Sequence, residues 1–147
     1  MHIVEEIHGM NFDHIAFEIL ETAGAFDSDK LVKSMIVLKS ITSIEFYLDD
    51  YGTGFSNLLR LLLLPISVIK FDRQILWGAR NNSRALSTAK TSIETFKNLG
   101  LKIVMEGVAT PEDLEICKEL DVDYYQGFEL AKPGDWTILL NFFKKAE

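Results

Sequence analysis

Two adjacent aspartates, Asp49 and Asp50, follow directly on the apolar run Ile44 to Leu48. Like charges a few ångströms apart resist joint ionisation, so a carboxylate pair at the end of a buried strand calls for a cation to neutralise it. Comparable polar groups stand at four other run ends, namely Glu18, Lys70 with Asp72, Glu106 and Gln126. From Glu18 through Asp49, Lys70 and Glu106 to Gln126 the steps are 31, 21, 36 and 20 residues, the spacing of repeated units rather than of one local motif. The set offers oxygen ligands, with no cysteine or histidine at ligand spacing, which favours Mg²⁺ or Mn²⁺ over Zn²⁺. His2, His8 and His14 read as surface or packing residues. After the aspartates, Gly52 and Gly54 allow a tight loop and close backbone approach to a ligand. Lys70 could hold a phosphate oxygen or an attacking water; the plainer alternative is a lysine that merely pairs with Asp72. Two divalent ions about 3.5 to 4 Å apart, bridged by a carboxylate and backed by such a lysine, suit in-line phosphodiester hydrolysis. Phosphodiester cleavage is therefore the first reaction class to consider.

Something must bring these residues together. Five short apolar or β-branched runs, Ile15 to Ile19, Ile44 to Leu48, Ser67 to Phe71, Lys102 to Met105 and Asp123 to Tyr125, alternate with segments of helical period. The helical candidates are Asp29 to Ser40, Ser56 to Leu64, Asn82 to Leu99, Pro111 to Leu120 and Asp135 to Lys145. Repeated strand-helix units of this kind predict an α/β domain with a parallel sheet. Thr110-Pro111-Glu112 marks a helix start and Asn98-Leu99-Gly100 a helix stop. In parallel α/β folds the carboxyl ends of the strands are where ligands bind, because the loops there vary while the strands hold position. All five polar groups fall at such ends, which predicts one site.

Composition narrows the partners. A formal net charge of -7, with no basic run to offset it, argues against a nucleic-acid polymer as ligand. An anionic small ligand would need a bound divalent cation between it and this acidic surface. The longest apolar stretch, Leu58 to Ile69, is interrupted by Arg60 and Pro65 and falls short of the roughly 20 residues that span a bilayer, so no membrane span is expected. The lone Cys117 cannot form an internal disulfide, which suits a reducing, cytoplasmic setting. Nothing between Met1 and Met10 has the apolar stretch of a signal peptide. No linker or repeat divides the chain, and one domain over residues 1–147 is expected.

Five ordered segments resemble the EAL-domain cyclic-di-GMP phosphodiesterases. They are Phe17-Glu18-Ile19-Leu20-Glu21-Thr22, Leu48-Asp49-Asp50-Tyr51-Gly52-Thr53-Gly54-Phe55-Ser56, Ile69-Lys70-Phe71-Asp72-Arg73, Met105-Glu106-Gly107-Val108-Ala109, and Tyr125-Gln126-Gly127-Phe128 leading to Ala131-Lys132-Pro133. The resemblance implies a modified TIM barrel that hydrolyses cyclic di-GMP to linear pGpG with Mg²⁺ or Mn²⁺. It implies that Glu18 and Asp49 hold one metal and Asp49 and Asp50 the second, with Asp49 bridging. Lys70 matches the lysine that contacts the catalytic water, and Glu106 a glutamate of the metal site or general base. Gln126 matches an active-site glutamine, Asp72 falls with it in the substrate-binding set, and Glu21, Gly52 and Gly54 support the loop carrying the aspartates.

Two departures qualify the resemblance. The family's Glu-Ala-Leu motif and the following strand, which supplies an asparagine, lie upstream of the Glu18 strand in the family; both are absent here, where Met1 to Phe12 is the stretch available for them. The chain thus reads as a truncated EAL domain, an incomplete TIM-type barrel of about five βα units with a C-terminal helix. Ala109 stands where the family often has a second glutamate. Two function classes follow: a metal-dependent phosphodiesterase that is weak or inactive as an isolated chain, or a degenerate EAL module that binds cyclic di-GMP or a protein partner without catalysis. An unpaired edge of apolar strand residues is a template for pairing with another chain, so a homo-oligomer is expected.

Overall fold

The computed structural model describes residues 15–20, 28–53 and 61–135. Five strands form one parallel sheet in sequential order: β1 (Ala16–Leu20), β2 (Glu45–Tyr51), β3 (Val68–Phe71), β4 (Lys102–Met105) and β5 (Tyr124–Tyr125). Among the described residues four helices accompany them: α1 (Ser28–Ile41), α2 (Arg73–Asn81), α3 (Ser83–Asn98) and α4 (Pro111–Glu119). The expected helix at Ser56 to Leu64 falls largely, and the C-terminal one almost entirely, outside the described residues.

Strand parity sorts the side chains. Phe46 and Leu48 on β2, Ile69 and Phe71 on β3, and Ile103 and Met105 on β4 share one face and pack into the core with Met35, Leu76, Ile93, Phe96, Cys117 and Leu120 from the helices and their ends. Full burial of a side chain such as Phe71 or Phe96 contributes about 2–3 kcal/mol. Residues of the other parity, among them Glu18, Asp49 and Lys70, turn to the opposite face. The helix-covered face fixes the register, since a slip by one residue would drive Phe46 and Leu48 out of the core.

One helix departs from the sequence reading, which assigns none between Phe71 and Asn82. Asp72 caps α2, its carboxylate accepting from the Gln74 N–H at 2.8 Å, while Leu76 and Ala79 bury one helical stripe. Asn82 then ends α2 and caps α3, accepting from the Arg84 and Ala85 N–H groups, so two short helices meet where one connection and one helix are expected. At α4 the expected start is found: Thr110 and Asp113 form a capping box with Pro111 in the first turn.

The candidate metal and phosphodiester site

β2 would ordinarily send Asp49 and Asp50 to opposite faces of the sheet. It does not, because the strand bulges between them. Leu48 pairs with Ile69 and Tyr51 with Phe71, three steps on β2 against two on β3. The extra residue is accommodated at Asp50, whose φ of 58° lies in the left-handed region that aspartate tolerates better than most residues. Both carboxylates therefore reach the same mouth, and Tyr51 is returned to the core side, where its ring lies 4.9 Å from Phe71 and 5.2 Å from Phe96. Gly52 follows at φ 106°, with no room for a Cβ against the Ile75 side chain of α2. Gly52 is thereby seated against α2; Gly54 and Glu21 lie outside the described residues.

Asp49, Asp50 and Glu106 can each present an oxygen within 4.8 Å of the other two. Lys70 enters this cluster from β3 with only 10% of its side chain exposed, and its Nζ lies 2.8 Å from Asp49 Oδ1, 2.9 Å from Glu106 Oε1 and 2.8 Å from Glu18 Oε1. Burial alone would push the ammonium's pKa down, but the hydrogen bonds it donates to Asp49, Glu106 and Glu18 outweigh it and hold the group well above the ordinary lysine value. The lysine is a fixed cation at neutral pH. It makes no bond to Asp72, so the plainer reading of Lys70 as Asp72's partner is corrected: Asp72 lies past the strand end and is committed to the α2 cap.

Gln126, just beyond β5, donates from Nε2 to Glu106 Oε1 at 2.8 Å. Glu18 joins the cluster through Lys70 rather than as a member of the three-carboxylate group, and its side chain is 48% exposed. Asp72 lines a cavity of about 800 Å³ together with Asp50, Glu106 and Gln126. Oxygen donors alone, in a concave site with one bridging-capable aspartate pair, fit a hard divalent cation such as Mg²⁺ or Mn²⁺.

Sequence reading missed three contributors. Arg73 and Trp77 also line the cavity, and both lie on the unexpected helix α2. Their four-residue spacing behind a capping aspartate was the available signal. Asp113 is fully buried beneath the Glu106 loop, accepting from Arg80 Nε and Nη2 at 2.6 Å each and from the Ala109 and Thr110 N–H groups at 2.9 and 3.1 Å. Burial raises this carboxyl's pKa, but Arg80, the Ala109 N–H and Thr110 lower it by more, and the net shift is downward.

The sequence of the EAL domain family matches residues 1–133. The chain belongs to the EAL domain family. Among curated relatives, the bifunctional diguanylate cyclase/cyclic di-GMP phosphodiesterase MucR of Pseudomonas aeruginosa is 31% identical over 128 residues, 86% of this chain and 18% of that protein. The cyclic di-GMP phosphodiesterase NbdA of the same organism is 28% identical over 143 residues, 97% of this chain and 18% of that protein. The solved MucR phosphodiesterase in complex with cyclic di-GMP superposes with a TM-score of 0.79 at 29% identity, covering 94% of this chain and 56% of that one. The EAL chain therefore spans about a fifth of the length of these curated relatives, and its five-stranded parallel sheet corresponds to part of the TIM-type barrel of EAL domains. No helix among the described residues is long and apolar enough to cross a membrane.

Proposed function

We propose that residues 1–147 act as one partial EAL domain that hydrolyses cyclic di-GMP to linear pGpG with Mg²⁺ or Mn²⁺. The observation that carries this reading is the convergence of Asp49, Asp50 and Glu106 around the Lys70 ammonium at the carboxyl ends of three adjacent strands. In this reading Glu18, Asp49, Asp50 and Glu106 hold the metal. A bound divalent cation would supply charge neutralisation at the phosphoryl oxygens and an activated water.

The chain's own residues do the rest. Lys70, charged throughout the neutral range, donates to a phosphate oxygen or holds the attacking water in line. Glu106, oriented by the Gln126 amide, accepts the proton of that water. The water oxygen bonds to phosphorus, the bond from phosphorus to the ribose 3′-oxygen breaks, and the proton is returned to that leaving oxygen. Asp72 and Gln126 contribute to substrate binding from the cavity wall, and Glu21, Gly52 and Gly54 support the loop that carries the aspartates.

Within this chain the first metal position has two family-matched ligands, Glu18 and Asp49, so the isolated chain binds metal weakly and turns over slowly. Exposed Ile15, just before β1, and Phe17 and Leu20 on β1, the edge strand among the described residues, fit an apolar interface with a second copy, larger than the roughly 1,000 Å² of a specific contact. Sedimentation at micromolar concentration tests that dimer, and a monomer would reject it. A free, buried Cys117 agrees with a cytoplasmic setting.

A second reading has its own observation. Lys70 already bonds to three carboxylates and occupies oxygens a metal would need, so the chain could hold cyclic di-GMP, or a protein partner, without catalysis. One assay separates the two: cyclic di-GMP with Mg²⁺ or Mn²⁺, products resolved by chromatography, and Asp49→Asn as control. Appearance of pGpG that Asp49→Asn and chelation both abolish supports hydrolysis. Binding with no product at any metal concentration supports the second reading, and neither binding nor product overturns both.

A further inference from the structure

Helix α2 touches both segments that carry the three clustered carboxylates. Its cap, Asp72, stands two residues after Lys70, and the Asp72 N–H donates to the Tyr51 carbonyl of β2 at 3.0 Å. Gly52, two residues after Asp50, has no room for a Cβ against Ile75 of α2, and Gly107, the residue after Glu106, has none against Arg73. In the last turn of the helix Arg80 donates from Nε and Nη2 to the fully buried Asp113 at 2.6 Å each. The same carboxylate accepts the Ala109 and Thr110 N–H groups, so it ties the segment after Glu106 to the far end of α2. Neither Arg80 nor Asp113 is among the residues that line the cavity.

A helix of 9 residues is marginal alone, so α2 keeps its place through what it packs against. Leu76 and Ala79 seat it on the core, and the Arg80 fork fastens its last turn. A bidentate pair fixes geometry as well as charge, which the single ammonium of a lysine does not reproduce. Resting on the function proposed above, we infer that α2 is the spacer that sets the distance between the aspartate pair and Glu106, with Arg80 and Asp113 as positioning residues. Mg²⁺ accepts little error in ligand position, and a site tolerates displacements of only about 0.5 Å. Without the fork, the segment 106–110 is free to move away from α2, and Glu106 is drawn off both Lys70 and the aspartates.

Arg80→Lys keeps the charge and removes the fork. Ile93→Val, a methylene lost from the core under α3, serves as a loss of stability that leaves α2's polar fastening intact. Two measurements test the inference, at a temperature where circular dichroism shows every variant folded. Mn²⁺ binding, followed by electron paramagnetic resonance, should weaken by roughly 10- to 100-fold in Arg80→Lys, the range for removing a group that orients a metal ligand. In chelator, the NMR signal of the Lys70 ammonium, identified by its absence in Lys70→Met, should shift in Arg80→Lys. Asp113→Asn, which keeps the shape and weakens the same bonds, should repeat both changes, and Ile93→Val should show neither. Wild-type Mn²⁺ affinity or an unmoved ammonium signal in Arg80→Lys overturns the inference and leaves the proposed function standing. Equal changes in Ile93→Val also overturn it, since general loosening would then account for them. A wild-type chain that binds no Mn²⁺ rejects the metal-dependent function, and the ammonium signal then decides the positioning role alone.

Discussion

Replacing Lys70 by methionine removes the cation on which three carboxylates converge and keeps most of the side chain's bulk. The pair with Glu18 is half exposed and contributes at most about 1 kcal/mol. Asp49 and Glu106 are each only 17% exposed, and a charged hydrogen bond in such a setting contributes about 1.5–3 kcal/mol. Methionine avoids the desolvation cost of a buried ammonium, which offsets several kcal/mol of that sum. It leaves Asp49, Asp50 and Glu106 facing one another uncompensated, so a net loss of about 3 kcal/mol is expected without metal, the low end for breaking a buried ion pair. For a domain of this size that lowers the thermal midpoint by about 6–12 °C.

The assay is urea unfolding in a chelator, repeated with Mg²⁺. A cation bound at 100 times its dissociation constant stabilises by about 2.7 kcal/mol, and Lys70→Met should gain more from it than wild type because the ammonium no longer competes for the same oxygens. The sign with pH is also fixed. Lys70's folded pKa is raised, so its stabilising contribution is complete below the ordinary lysine value and is lost only as pH rises through the higher folded value. The gap between wild type and variant should stay level from about pH 6 to pH 9. A gap below about 1 kcal/mol in chelator, or equal stabilisation of both proteins by Mg²⁺, would refute this account of the cluster.

Three further outcomes are expected. Asp113→Asn should cost about 2–3 kcal/mol at pH 7, because Arg80 and two backbone N–H groups lose a buried carboxylate; since that pKa is lowered on folding, the cost should shrink as pH falls through the folded value, and an undiminished gap at about pH 3 would contradict it. Burial, with a smaller effect of Asp113, pushes the Cys117 thiol up to about 11, so Ellman's reagent at about pH 8 should modify it only after unfolding, and prompt labelling of the native chain would show an open path to it. Asp50→Gly should release the left-handed strain and raise stability by up to about 1 kcal/mol while weakening Mn²⁺ binding; tighter Mn²⁺ binding would mean that Asp50 is not a ligand.

The strand ends were legible because buried parallel strands are written in runs of apolar residues, and a polar residue ending such a run stands out. Lys102 to Met105 is found at the expected bounds, and the starts of α3 and α4 fall on the capping residues Asn82 and Thr110. The convergence of Asp49 and Asp50 was not legible, since strict alternation sends them apart and the bulge that reunites them is a register property shared with β3. Helix α2 escaped because at 9 residues it is short and runs within one residue of α3, its apolar stripe reduced to Ile75, Leu76 and Ala79. Missing α2 meant missing Arg73 and Trp77 and with them part of the cavity wall. Asp113 escaped for another reason: its role depends on Arg80, 33 residues away, and no local pattern announces that pair.

The sheet's order, β1 to β5 in sequence, also governs how the chain finds its structure. Each strand pairs only with its sequence neighbours, so every closure spans a few tens of residues, and the entropic cost of a loop grows slowly with such lengths. Assembly can advance one strand-helix unit at a time and start at any unit, much as a repeat array does. The β3–β4 pair, whose Ile69, Phe71, Ile103 and Met105 are completely buried, is the natural starting point, and β1, with exposed side chains on its outer edge, the last to join. Glu18 rides on that last strand. An assembly in that order would bring Lys70 and Glu106 to each other first, with Glu18 closing on a lysine already bonded to Asp49 and Glu106.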